Sequence, residues 1–255
     1  MKIFIKNRKD QKVCVVIDEI KNPKGLAFII HGLGSNKDRP SITAIAKVLN
    51  ECNYNVIRFD TTNTFGESDG SIEDATITNY YEDLEDVITW ASSNSWYKEP
   101  FILVGYSLGG ICITLYAEKY PEKVKALAPL STIISGKLSF QTKSKEEFEE
   151  WKTKGWKYHA NSSNPEIKKK LKWSHMEDRL KYDVLPNANR LKMPVLMIVG
   201  DKDTSTPLNQ QKVLYEKLTG KKEIHIIKGA PHSFKEEEHI KERNEIFKSW
   251  IKKIK

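Results

Sequence analysis

The segment Phe101–Lys119 limits this chain to a narrow set of folds. Phe101–Gly105 is an apolar run too short for a helix, the pattern of a strand buried on both faces of a parallel sheet. From Leu108 an apolar helical pattern runs to Lys119 and stops before Pro121. Only Tyr106 and Ser107 lie between, so the chain must pass from strand to helix in one sharp turn. Gly105 and Gly109 flank that turn, where a β-carbon would clash as strand and helix approach. A buried strand feeding straight into a helix predicts βαβ units and a sheet with helices on both faces.

The rest of the chain keeps that rhythm. Ile3–Ile5 and Val13–Ile17, joined by Asn7–Lys12, predict an antiparallel entry hairpin. Leu26–Ile30, Tyr54–Phe59, Val124–Leu130, Val195–Gly200 and Glu223–Ile227 read as strands, and Ser41–Glu51, Thr78–Ser92, Leu208–Leu218 and Lys235–Ile254 as helices. Together they predict an α/β fold with a mostly parallel, doubly wound sheet of about eight strands. Ser131–Arg190 breaks the alternation. It lacks a core-strand pattern, is rich in Lys, Glu and Trp, and at about sixty residues is too long for a plain loop. It is expected to form a helical cap (lid) insertion, residues 131–190, over a core made of residues 1–130 and 191–255.

Composition excludes several classes. The 255 residues carry a net charge of +8. The lysines are scattered, however, and the runs Lys168–Lys170 and Lys248–Lys255 lack interleaved aromatics, so a solvated surface is expected rather than a nucleic-acid partner. No apolar run approaches membrane-spanning length, and Met1–Asp10 reads as a strand, not a signal peptide. Cys14, Cys52 and Cys112 have no metal-ligand spacing. An odd, sparse cysteine count fits a cytoplasmic protein without disulfides. A monomer or homodimer with no membrane partner is expected.

Gly105-Tyr106-Ser107-Leu108-Gly109 fits a Gly-x-Ser-x-Gly turn that pushes the serine hydroxyl out above the sheet. A serine hydroxyl is a weak nucleophile and needs a base, which in turn needs an orienting acid. His232 lies in the loop Gly229–Phe234, after the strand Glu223–Ile227, where it reaches the same rim as Ser107. His225 falls inside a strand, His239 at the start of the last helix, and His159 and His175 in the cap. Asp203 follows the strand Val195–Val199. Asp201 is a rival, but the carboxylate nearest the strand tends to be spent on the turn, so Asp203 is preferred. Backbone N–H groups of Leu108 and Leu33 are the candidates for stabilising an oxyanion. His31 is expected to shape the Leu33 loop, with a second catalytic histidine as the alternative.

These residues together resemble the α/β-hydrolases over nearly the full chain. His31-Gly32 is similar to the family's oxyanion loop and Gly105–Gly110 to its nucleophile elbow. Gly200–Asp203 with Thr206-Pro207 is similar to its acid loop, and Gly229–Phe234 to its histidine loop. Size and cap position look like bacterial and archaeal cinnamoyl or feruloyl esterases and acylglycerol lipases. One departure concerns Asp60–Gly70: relatives often carry an arginine soon after this aspartate, and here none is present. Serine at the elbow, rather than cysteine or aspartate, disfavours dienelactone hydrolases, dehalogenases and epoxide hydrolases.

The resemblance implies a serine carboxylesterase acting on small to medium esters, hydroxycinnamoyl esters among them, through an acyl-enzyme and with no metal or organic cofactor. The cap aromatics Trp151, Trp156, Tyr158 and Trp173 are candidate substrate contacts. An acylglycerol lipase is nearly as well supported. A serine aminopeptidase or amidase would need an acidic cap patch, for which Glu146, Glu147, Glu149 and Glu150 are candidates. A hydrolase-like binding protein would be expected to lack one triad member, and this chain lacks none.

Overall fold

The computed structural model describes residues 1–160, 168–234 and 236–254. β1 (Lys2–Lys6) and β2 (Lys12–Asp18) form the antiparallel entry hairpin. The next strands are β3 (Gly25–Ile30), β4 (Tyr54–Phe59), β5 (Phe101–Tyr106) and β6 (Val124–Leu130). A short pair, β7 (Trp156–Ala160) and β8 (Lys168–Lys172), comes before β9 (Val195–Gly200) and β10 (Lys222–Ile227). Eight of them make one sheet in the order β1-β2-β4-β3-β5-β6-β9-β10. β2 pairs antiparallel with β4, and every pairing from β4 to β10 is parallel.

The period-two alternation of the central strands sorts their side chains between two cores. Leu26, Phe28, Ile30, Phe101 and Leu103 face one side, with α2 (Ile77–Ser92), α3 (Leu108–Lys119) and α7 (Leu208–Lys217). Ala27, Ile29, Ile102 and Val104 face the other, with α1 (Pro40–Glu51) and α8 (Glu237–Lys253). α3 is apolar on almost every side and correspondingly buried from Leu108 to Thr114. The predicted start of the last helix at Lys235 lies outside the described residues. β10 is one of the two edge strands, paired on one side only, and Ile226 on it is 45% exposed.

Between β6 and β9 the chain forms α4 (Gly136–Ser139), α5 (Lys145–Lys154), the β7–β8 hairpin and α6 (Ser174–Arg179). Residues 161–167 of the predicted cap lie outside the described residues. α5 starts at a capping box, Ser144 with Glu147, and ends at the left-handed Gly155. The sequence pattern predicts helices alone in this segment, and the antiparallel hairpin departs from it. Lys168–Lys172 has no strand signature. Two of its lysines are held by groups distant in sequence: Lys170 pairs with Glu73 and lies 5.4 Å from the Trp156 ring centre, and Lys172 pairs with Asp74.

Candidate active site

Three loops at the carboxyl edge of the sheet each bring one polar side chain to a common point. Ser107 follows β5 with φ 54° and ψ −111°, a sparsely populated conformation for a residue with a side chain. Hydrogen bonds hold it there. Ser107 N donates to Leu130 O (3.0 Å), and Ser107 O accepts from Gly110 N (3.0 Å) and Ile133 N (3.3 Å). A methyl group on Gly105 would run into the Gly109 carbonyl, and one on Gly109 into the His31 carbonyl. Glycine is therefore dictated at both positions by packing.

His232, in the loop after β10, places Nε2 3.0 Å from Ser107 Oγ. Its Nδ1 lies 2.8 Å from Oδ2 of Asp203, in the loop after β9. An ionised carboxylate only accepts, so Nδ1 carries the ring proton and Nε2 offers its lone pair to the serine hydroxyl. The Asp203 side chain is wholly shielded from solvent. Burial pushes its carboxyl up, but the His232 hydrogen bond and charge, with two bonds from Thr206, hold it below the ordinary carboxylate value. Oδ1 accepts from Ser205 N (2.9 Å) and Thr206 N (2.8 Å). Thr206 Oγ1 lies 2.8 Å from Asp203 Oδ2, 2.9 Å from Ser131 O and 3.2 Å from His232 Nδ1, closing a ring around the acid. Sequence reasoning gave Thr206 no role. The available signal was a threonine three residues after an aspartate, where side chain and backbone can close a local turn.

Asp201 points elsewhere. Its Oδ1 accepts from Gly229 N at 2.7 Å and ties the loop after β9 to the loop after β10. His31 is fully buried, with Nδ1 2.8 Å from Gly32 O and Nε2 accepting from Thr61 N at 3.2 Å. Burial holds its pKa below the ordinary histidine value. Nδ1 is spent within its own loop and Nε2 joins that loop to the loop after β4, which leaves neither for proton transfer.

Lys37 joins the same two loops. Its amide donates to Asp60 Oδ1 (2.7 Å), and its Nζ lies 3.0 Å from Asp60 Oδ2 and 2.6 Å from Glu67 Oε1, with Lys37 and Asp60 both buried. A lysine from the preceding loop thus supplies the cation where the resemblance leads one to look for an arginine. Cys14, Asp60 and Glu67 are close enough to share a metal ion, but the carboxylates are already paired, Asp60 with Lys37 and Glu67 with Lys37 and Lys2.

Ser107 and His232 open into a cavity of about 710 Å³, a size suited to a small-molecule site. Leu33 and Leu108 line it beside Ser107. As the first residue of α3, Leu108 has no intrahelical acceptor for its N–H. None of the four cap aromatics lines the cavity. Trp151 is 3% exposed, donates Nε1 to Leu171 O (3.1 Å) and packs 5.6 Å from Trp173. Trp156 and Tyr158 pack on each other at 4.9 Å on the outside of the hairpin and are exposed. Their area serves the segment's own packing. From this segment, Thr142, Lys143, Leu171 and Arg179 face the cavity instead, and nothing in local sequence pattern marks them.

A model of the alpha/beta hydrolase fold matches residues 28–161, more than half of the chain. A second model, the dienelactone hydrolase family, matches residues 160–253. That span holds the acid and histidine loops but not the elbow serine. Palmitoyl-protein thioesterase ABHD10, mitochondrial, from Bos taurus is 27% identical over 223 residues, covering 86% of this chain and 70% of that protein. Among solved structures, Est1E from Butyrivibrio proteoclasticus with bound ferulic acid superposes with TM-score 0.82 at 22% identity, covering 99% and 98% of the two chains. The Paleococcus ferrophilus monoacylglycerol lipase gives TM-score 0.73 at 22% identity, covering 93% and 98%.

Proposed function

The chain belongs to the α/β-hydrolase fold family, and on that premise we propose that it is a serine hydrolase that cleaves carboxylic esters or thioesters. The observation that carries the reading is the unbroken path from Ser107 Oγ through His232 to Asp203 Oδ2, at 3.0 and 2.8 Å. His232 Nε2 takes the Ser107 proton as Oγ attacks the acyl carbon. The Leu33 and Leu108 amides hold the oxyanion, each worth ~3 kcal/mol in such sites. His232 then protonates the departing alcohol or thiol. Water, deprotonated by the same imidazole, releases the acid and restores the hydroxyl. Every step uses groups of this chain, so no cofactor enters the scheme.

Residues 131–190 act in this reading as a cap that sets substrate choice, because Thr142, Lys143, Leu171 and Arg179 wall the cavity opposite the strand ends. A small to medium ester fits the volume, hydroxycinnamoyl and acylglycerol esters included. The similarity to a palmitoyl-protein thioesterase and a monoacylglycerol lipase agrees with acyl transfer from sulfur or oxygen. An aminopeptidase finds no support at the cavity. Glu147 pairs with Lys143 and Lys157, Glu150 pairs with Lys154, and no carboxylate lines the cavity among the described residues. No helix among the described residues is long and apolar enough to cross a membrane. The three free, buried cysteines favour a reducing compartment such as the cytoplasm.

A fluorophosphonate probe tests the nucleophile directly. Wild type should label and Ser107→Ala should not, and wild type should turn over p-nitrophenyl esters or acyl thioesters but not aminoacyl p-nitroanilides. Equal labelling of the two proteins would remove Ser107 from the chemistry.

A further inference from the structure

The charge of the cavity points to a narrower substrate class, an inference that rests on the Ser107 chemistry proposed above. Arg39, Lys143 and Arg179 line the cavity, and no aspartate or glutamate does among the described residues. Lys143 has an acid at hand, Glu147 at 3.4 Å. Arg179 has none among the described residues. Its Nη2 bonds His175 Nε2 at 2.8 Å, and its Nε is buried without a hydrogen-bond partner. His175 cannot serve as a counter-ion. Its Nδ1 lies 2.7 Å from Ala75 O and donates to it, so Nε2 accepts from the guanidinium. The imidazole orients the arginine without offsetting its charge. Burial lowers the Arg179 pKa to about 10, which leaves it cationic at neutral pH.

A half-buried guanidinium at the cavity wall, its Nε shielded from water and with no acid beside it among the described residues, gains from an anion that enters the cavity. The planar fork of arginine suits a carboxylate, phosphate or sulfate, which it binds through paired N–H groups. We propose that the substrate carries an oxyanionic group on the limb that runs from the Ser107 acyl centre toward the cap wall, and that Arg179 binds it. The cavity then selects between esters by charge as well as by size. Arg179 is a specificity residue held in place by His175.

Matched substrates test this. Mono(p-nitrophenyl) adipate against p-nitrophenyl hexanoate isolates a charge on the acyl limb. 4-Carboxyphenyl butyrate against phenyl butyrate isolates one on the alcohol limb. In one of the two pairs the anionic ester should be preferred about tenfold or more in kcat/KM, carried by KM, as expected for a charge-assisted hydrogen bond. Arg179→Met should abolish most of that ratio, and Arg179→Lys should keep part of it. Neutral preference in both pairs, or a ratio unmoved in Arg179→Met, overturns the proposal. Should Arg179→Met fail to fold, calorimetry on Ser107→Ala compares adipic acid mono(p-nitroanilide) with hexanoic acid p-nitroanilide for the acyl limb and N-(4-carboxyphenyl)butanamide with N-phenylbutanamide for the other limb, and equal affinities within both pairs overturn it. That titration also separates the two readings. Absent Ser107 labelling with tighter binding of the anionic anilide sinks the hydrolase and spares the anion site.

Discussion

Glu118 offers a test of how the helix that begins at Ser107 is built. It lies near the far end of α3, is 4% exposed, and its Oε1 has no hydrogen-bond partner. Burial pushes its carboxyl up to about 8, helped by the charge of Asp183 and opposed by Arg190. The folded protein therefore keeps this proton at neutral pH, whereas the unfolded chain releases it near the ordinary value of 4.5. The unfolded state binds fewer protons throughout that window, so stability declines as pH rises from about 4.5 toward 8. The full gap corresponds to at most about 5 kcal/mol. Relaxation and water penetration around a buried acid reduce that to about 2 kcal/mol. Glu118→Gln keeps the shape and removes the titration. In urea unfolding at pH 5 and pH 8, wild type should lose about 2 kcal/mol more than the variant across the interval. Parallel pH profiles, within about 0.5 kcal/mol, would refute the reasoning whatever the absolute stability of the glutamine protein.

The two acid-loop carboxylates should separate cleanly by kinetics. In Asp203→Asn the Ser205 and Thr206 amides hold the oxygen and turn the amide nitrogen toward His232 Nδ1, which should lower kcat by about 10⁴, while Asp201→Asn, whose amide oxygen still accepts from Gly229 N, should stay within a few-fold of wild type. Lys37→Met strips the buried Asp60 of its cation and should destabilise the protein by about 3–5 kcal/mol in denaturant titration. Because the Lys37 Nζ also ties the Leu33 loop to Asp60, a Lys37→Met protein that remains folded should show lower kcat rather than higher KM.

The frame of the molecule was legible in the sequence because local chemistry writes it. Apolar runs of strand length made β3, β5 and β9 readable, and the glycines around Ser107 report a contact between neighbouring elements that leaves no room for a methyl group. That Asp203 and His232 would meet was readable for a related reason, since parallel strands bring all their following loops to one edge. What escaped depends on partners far apart in the chain. Lys37 meets Asp60, Lys170 meets Glu73, and Arg179 is set by a histidine that is itself anchored to Ala75. A lysine gives no local sign that it will be buried, and a tryptophan no sign of whether it packs inward like Trp151 or stays outside like Trp156. The cap aromatics were therefore sound candidates by composition, yet they lie off the cavity in space.

The proposed base is suspended from β10, an edge strand of the sheet, while the proposed nucleophile is rooted in its centre. Fraying of that rim would carry the imidazole away from the hydroxyl before the interior loosens. Loss of turnover on gentle heating or in dilute denaturant is thus an early gauge of rim order, and it should precede the change in tryptophan fluorescence that reports collapse of the interior.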